Sequence, residues 1–289
     1  MNSMARKQIS FLLALLPLMI PQKSPAVNII CDLGDVLFET RMARSFWNIG
    51  PLAMAYYAAT LKNPLNCHKK LFDFLDTIKP RDPSEPPVKD GHNHILPQLM
   101  NDWLKGTISG AQILALVAAT PGRFDNWAQE SLVRALAHMI FSKEIFVSTR
   151  YLVPDGVDFL RHCKQAGHTL YILSNWDPES FIIMQQQYPD FFSLFEGIVI
   201  SGDVGMVKPD PALFAYLLER YKLDPRKTFY IDDRPENIQA AQEFGIQGCL
   251  YEKKSGFLFK THGFQEVCKK LNKWLRSDNF PISADNHRY

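Results

Sequence analysis

Hydrophobic and polar positions follow two regimes along this chain. Val27–Cys31, His168–Leu173, Gly197–Ile200, Thr228–Ile231 and Ile246–Leu250 are short, nearly unbroken apolar runs. Runs of that length read as strands buried on both faces, as in a parallel sheet. Gly156–Gln165, Pro178–Gln187, Pro211–Tyr221, Pro235–Phe244 and Phe264–Leu275 place apolar residues at helical spacing between and after them. Pro178, Pro211 and Pro235 open three of these helices, and Asp177 and Asp210 are placed as N-caps. Strand–helix alternation predicts right-handed crossovers and an α/β fold, a doubly wound parallel sheet of Rossmann-like type.

A different pattern interrupts this series after the first strand. Met42–Leu61, Leu71–Ile78, Ile95–Leu104, Gly110–Ala119 and Trp127–Phe141 read as helices, and no strand alternation is seen among them. Lys79–His94, with Pro80, Pro83, Pro86 and Pro87, reads as a loop. The expected organisation is a discontinuous core over 27–40 and 150–275, a helical insertion over 41–149, and a polar tail over 276–289. Residues 1–26 stand apart: Arg6 and Lys7 precede the apolar stretch Ile9–Ile20, and Ser24-Pro25-Ala26 offers small residues for cleavage. That is the pattern of a secretory leader, too short to span a bilayer comfortably.

Composition changes little. The 46% apolar and 21% charged residues suit a globular protein, and a net charge of +2 advertises neither nucleic acid nor acidic membrane as a partner. Five cysteines form no CxxC pair, and an odd count leaves at least one unpaired. Cys31 and Cys249 fall in strand patterns, Cys163 and Cys268 in helical ones, which predicts small buried hydrophobes. Unpaired thiols favour a reducing compartment and the leader favours export. Export is the expectation for location, with the cytoplasm as the alternative.

Candidate chemistry sits where apolar runs end in polar groups. Ile29-Ile30-Cys31-Asp32-Leu33-Gly34-Asp35-Val36-Leu37, Leu170–Asn175 and Thr228–Asn237 are three such strings, and Gly205-Met206-Val207-Lys208-Pro209 adds a lysine. Residues at the carboxyl ends of parallel strands face one crevice, where open α/β sheets bind ligands. Singly, Asp32 reads as an N-cap, Ser174-Asn175 as a turn pair and Asp232-Asp233 as a cap for the next helix. Jointly and in order, they describe a site.

These four strings resemble those of the haloacid dehalogenase-like hydrolase superfamily, over about residues 27–275. In detail they look most like its phosphatase branch with a helical cap inserted after the first strand. The resemblance implies a Mg²⁺-dependent phosphatase acting on a small, sugar-phosphate-like metabolite. Asp32 would be the nucleophile, forming an aspartyl-phosphate. Ser174 and the Asn175 backbone would hold phosphoryl oxygens, and Lys208 would neutralise charge. Asp233 would bind Mg²⁺ with Asp32 and the Gly34 backbone carbonyl, Asp232 supporting.

Gly34 departs from the pattern. The superfamily's phosphatases usually carry a second aspartate there as general acid and base, a role typically worth about 10²–10⁴-fold. Three readings follow: a substrate with a good leaving group, a substitute acid/base such as Asp35 or a cap residue, or a catalytically impaired phosphate- or metal-binding protein. A metal-independent dehalogenase is a further alternative, though the Asp232-Asp233 pair argues for a metal. Trp176 follows Asn175 and is expected either to stack on substrate or to pack under the cap. Trp47, Tyr56 and Tyr57 read as helix core, and His92-Asn93-His94 as a loop with too few ligands for a metal.

Overall fold

The structure, a computed structural model, describes residues 25–41, 67–90, 93–255 and 263–277, with positions 50, 51, 55, 59, 260 and 261. Residues 1–24 of the expected leader, most of the helix expected over 42–61 (Trp47, Tyr56 and Tyr57 among it), His92 and the tail beyond residue 277 lie outside the described residues.

In chain order the strands up to residue 250 are β1 (Asn28–Cys31), β2 (Phe38–Thr40), β3 (Arg150–Leu152), β4 (Thr169–Ser174), β5 (Gly197–Ile200), β6 (Thr228–Asp232) and β7 (Gln247–Leu250). Five of them form one parallel sheet in the order β5-β4-β1-β6-β7. The helices are α1 (Cys67–Ile78), α2 (Gln98–Leu104), α3 (Gly110–Ala119), α4 (Trp127–Phe141) and α5 (Lys143–Ser148) between β2 and β3. Then follow α6 (Pro154–Gln165), α7 (Pro178–Gln187), α8 (Pro189–Phe192), α9 (Ser201–Val204), α10 (Pro211–Tyr221), α11 (Pro235–Glu243) and α12 (Phe264–Leu275).

Each sheet face has its own apolar layer, which explains the unbroken apolar runs. Ile29, Cys31, Leu170, Ile172, Phe229 and Ile231 pack on one side with Phe159 and Leu160 of α6 and Leu271 of α12. Ile30, Tyr171, Leu173 and Tyr230 pack on the other with Leu213, Phe214 and Leu217 of α10 and Ala241 of α11. Fully burying a side chain of this size stabilises the fold by roughly 1.5–3 kcal/mol. Cys31, Cys163, Cys249 and Cys268 are free and buried in the first layer. Burial is the first cause of their thiols lying above the ordinary range.

Strand register decides where the chemistry falls. Cys31 pairs with Ile172 on one side and Ile231 on the other. Asp32 therefore stands level with Leu173 and Asp232, one residue short of Ser174 and Asp233.

The helices between β2 and β3 build a separate core from Leu71, Leu75, Leu99, Trp103, Val133 and Phe141. One of the places where they meet the sheet unit closely lies between α2 and α9. Ser201 Oγ donates to the Leu104 carbonyl at 2.6 Å, and a Cβ on Gly106 would lie 2.3 Å from the Gly202 carbonyl oxygen. Only glycine permits that approach.

Some elements depart from expectation. β2 and β3 form an antiparallel pair through which the chain leaves the sheet unit and returns. Three residues are too few for alternation to be read. Helix α2 starts at Gln98 rather than Ile95, because Pro97 occupies the N-cap and Ile95 bridges Lys89. Helix α6 starts at Pro154 rather than Gly156, with the proline in its first turn. Asp177 and Asp210 cap α7 and α10, accepting from the Ser180 and Ala212 amides. Among the described residues, no helix is long and apolar enough to cross a membrane.

Candidate active site

At the end of β1, the Asp32 carboxylate receives three donors on one oxygen. The Leu33 amide at 2.8 Å, Ser174 Oγ at 2.7 Å and Lys208 Nζ at 3.0 Å all reach Oδ1. Among the described residues, no hydrogen bond is made to Oδ2. One oxygen is thus anchored while the other stays available to a reacting partner.

Lys208 is 2% exposed, and its ammonium also donates to Asp232 Oδ2 at 2.7 Å and to the Leu173 carbonyl at 3.1 Å. An ammonium has three donors, and all three are used here. Burial alone would lower its pKa, but the Asp232 and Asp32 carboxylates outweigh that and hold it above its ordinary value. The lysine is charged throughout the physiological range. Its backbone is gripped by the Asn175 side chain, which accepts from Lys208 N at 2.7 Å and donates to Lys208 O at 3.0 Å. Sequence reasoning assigned a role to the Asn175 backbone only; the side chain's grip on Lys208 is visible only in three dimensions.

Asp232 is fully enclosed. Tyr230 OH and both Lys208 and Asn237 donate to its carboxylate, and the Arg234 amide reaches Oδ1 at 2.8 Å. Asn237 and Tyr230 had no assigned role, although both lie in the fourth string. Asp233 differs. Among the described residues no hydrogen bond or ion pair reaches its carboxylate, which lines the cleft beside Asp32.

Oxygens of Asp32, Asp232 and Asp233 lie within 4.8 Å of one another. Three carboxylates around one ammonium leave two negative charges unmatched. Burial, ahead of the pull of Lys208, pushes the Asp32 carboxyl up to about 6. Burial and then the charges of Asp32 and Asp232 push Asp233 up to about 7. A hard divalent cation with oxygen ligands fits that donor set and that charge deficit.

The cleft has two compartments. One, of about 190 Å³, holds Asp32, Lys208, Asp233 and Arg234 against Val88, Lys89 and Leu96. Arg234 spans the two sides, donating to the Lys89 carbonyl while paired with Glu236. The other, of about 150 Å³, is lined by Trp103, Phe146, Arg150 and Trp176. Gly34, Asp35, Leu104 and Asn175 line both. A Cβ at Gly34 would meet nothing within 4 Å.

Asp35 reaches the cleft from a left-handed backbone (φ 58°), and its carboxylate is 2.6 Å from Lys253 Nζ. The pair is half-exposed, so Asp35 faces both solvent and cleft. Trp176 belongs to the wall. Its ring stands edge-on to Phe146 at 5.5 Å, and its Nε1 donates to Ser180 Oγ at 2.8 Å. His94 sits 3.1 Å from Asp90 Oδ2 and takes no part in the carboxylate cluster.

Comparison with known proteins follows the same lines. A family model described as haloacid dehalogenase-like hydrolase matches residues 29–245. The sesquiterpene phosphatase astK of Aspergillus oryzae is 31% identical over 103 residues, 35% of this chain and 52% of that protein. The first curated relatives are matched over about half of their length or less. Among solved structures, the HAD family enzyme bt-2542 from Bacteroides thetaiotaomicron, in complex with magnesium and inorganic phosphate, superposes with a TM-score of 0.52 at 20% identity. It covers 82% of this chain and 100% of that one. A 2-haloacid dehalogenase from Pseudomonas syringae gives 0.50 at 18% identity, covering 86% and 100%. At these identities the likeness is one of fold.

Proposed function

Since this chain belongs to the haloacid dehalogenase-like hydrolases, we propose that it is a Mg²⁺-dependent phosphatase that hydrolyses a small phosphorylated molecule through Asp32. The observation that carries this reading is the division of labour at Asp32, with Oδ1 held by three donors and Oδ2 left clear. A curated phosphatase relative and a magnesium–phosphate complex of the same fold support it.

In this reading Oδ2 attacks phosphorus and forms an aspartyl-phosphate, which water then hydrolyses. Lys208 is fixed by Asn175 and charged by its neighbours. It keeps Asp32 ionised and faces the transferring group with a preorganised positive charge. Ser174 donates to Asp32 in the resting site and, in this reading, would turn its hydroxyl to a phosphoryl oxygen when substrate binds. Mg²⁺, held by Asp32 and Asp233 with Asp232 behind them and the Gly34 carbonyl alongside, would neutralise the two unmatched charges and those of the phosphoryl group. The helices between β2 and β3 act as a cap over the leaving group. Phosphoryl transfer asks mainly for positioning and charge neutralisation, which this inventory supplies.

The test is release of inorganic phosphate from p-nitrophenyl phosphate with Mg²⁺ and with EDTA, in wild type and Asp32→Asn. Metal-dependent release that vanishes in Asp32→Asn is the expected result. No release above Asp32→Asn overturns the reading and leaves a phosphate- or metal-binding role. Halide release from a haloacid in EDTA would instead favour the dehalogenase alternative that Gly34 raises.

A further inference from the structure

The compartment beside Gly34 says more about the leaving group than the phosphate end does. Its walls are Trp103, Leu104, Phe146 and Trp176, with Arg150 as its cation among the described residues and Asp35 and Asp177 as its carboxylates. Phe146 stands edge-on to both tryptophans, at 5.8 Å and 5.5 Å. Its volume is about 150 Å³, and an apolar cavity of about that volume holds one benzene ring. Polar groups for a sugar are scarce here. Asn175 is committed to Lys208, Asp177 to the first turn of α7, and Asp35 to Lys253. Enclosed hydroxyls without partners cost roughly 1–3 kcal/mol each.

Arg150 is unusual for a cation in such surroundings. Its guanidinium lies 4.2 Å over the Phe146 ring, and one Nη donates to Thr40 Oγ1. Nε is buried with no hydrogen-bond partner, and the charge of Asp35, which lines the same compartment, acts on this arginine without an ion pair being formed among the described residues. A largely buried cation that lines the cleft without an ion pair favours an anion or a developing negative charge beside it. Glycine at position 34 removes both a side chain and a proton donor from the junction between this compartment and Asp32. A leaving group here has room for a flat ring and finds no proton donor at position 34.

We propose that the substrate is an aryl phosphate monoester, whose ring occupies the compartment beside Gly34 and whose departing oxygen is stabilised by Arg150. This deepens the phosphatase reading and rests on it. The bond from Asp32 Oδ2 to phosphorus forms as the bond from phosphorus to the aryl oxygen breaks. The electron pair of the broken bond leaves on that oxygen as phenolate. No proton is needed at that moment, because a phenol has a pKa of about 10, against about 15.7 for water. The guanidinium balances the charge that leaves.

Four esters and two variants test it: acetyl, phenyl and cyclohexyl phosphate and glucose 6-phosphate, with Mg²⁺, in wild type, Arg150→Gln and Gly34→Asp. Acetyl phosphate carries no ring and needs no acid, so it reports the phosphoryl chemistry alone. The expected result is a phenyl-to-cyclohexyl ratio in kcat/KM of at least about 10² in wild type, the scale of a missing general acid, with glucose 6-phosphate slower still. Arg150→Gln should lower phenyl phosphate turnover by about 10²-fold more than acetyl phosphate turnover, the scale of one lost oxyanion donor. Gly34→Asp has space for its Cβ, and should shrink the phenyl-to-cyclohexyl ratio by narrowing the junction and restoring an acid. Acetyl phosphate hydrolysis with cyclohexyl phosphate or glucose 6-phosphate matching phenyl phosphate would overturn the inference and leave the phosphatase standing. So would Arg150→Gln slowing phenyl and acetyl phosphate equally. No hydrolysis of any ester overturns both.

Discussion

The two compartments of the cleft are built on opposite principles. At the phosphate end, Lys208 uses all three donors, Asp232 accepts from four residues, and Asn175 clamps the lysine backbone. At the aromatic end a few rings enclose one arginine with an unused nitrogen. The first is preorganised for a group whose shape and charge never vary. The second offers mainly ring surface, with Arg150 beside it and no ion pair to that arginine among the described residues. In the proposed reading, the difference assigns the general chemistry to the strand ends and recognition of the leaving group to the place where the chain between β2 and β3 meets them.

The sharpest way to break this comparison is at the nucleophile. Asp32→Asn should lower kcat for any phosphate ester by at least about 10⁴-fold while leaving the fold intact by circular dichroism. Retained turnover would move the chemistry away from β1. Lys208→Met comes next. It leaves Asp32 and Asp232 buried without their cation, and should cost about 3–5 kcal/mol in denaturant unfolding. A loss under about 1 kcal/mol would mean that the buried pairs barely exceed surface ones. Asn175→Ala, which removes both bonds to the Lys208 backbone, should cost about 1–3 kcal/mol and lower kcat more than it raises KM.

A metal-linked prediction sharpens the charge side. Asp32 and Asp233 have folded pKa values raised to about 6 and about 7. A carboxyl raised on folding lends stability below its unfolded pKa of about 4 and loses it as pH climbs through the folded value. The metal-free protein should therefore lose stability from these groups between about pH 4 and about pH 7. Mg²⁺ binds the ionised forms, so its increment in Tm should grow across the same window. An increment that is flat or falls with pH would remove Asp32 and Asp233 from the metal site. The smallest effect is expected at the half-exposed Asp35–Lys253 pair: Lys253→Ala should shift stability by less than about 1 kcal/mol.

Much of the fold was legible because its signals are local and long. The apolar runs of β1, β4 and β6 are unbroken since both sheet faces bury them, and Pro178, Pro211 and Pro235 mark helix starts within a residue. Asp32, Ser174, Lys208, Asp232 and Asp233 were readable as a set because each follows such a run. The β2–β3 pair was not readable, being three residues long on each side of more than a hundred others. Arg150 gave no signal either, since Phe146, Thr40 and the cleft meet around it only after the chain returns.

Sequence alone, then, determined the parallel sheet, the order of its elements and the inventory of carboxylates, hydroxyl, amide and ammonium at the strand ends. Periodicity and turn chemistry are local properties that any stretch of chain carries with it. Tertiary structure decided which Asp32 oxygen stays free, that the Asn175 side chain serves Lys208, that Asp233 has no partner among the described residues, and that Gly34 opens onto an aromatic chamber. Each of those depends on strand register and on contacts between residues tens to more than a hundred positions apart, which no local pattern encodes.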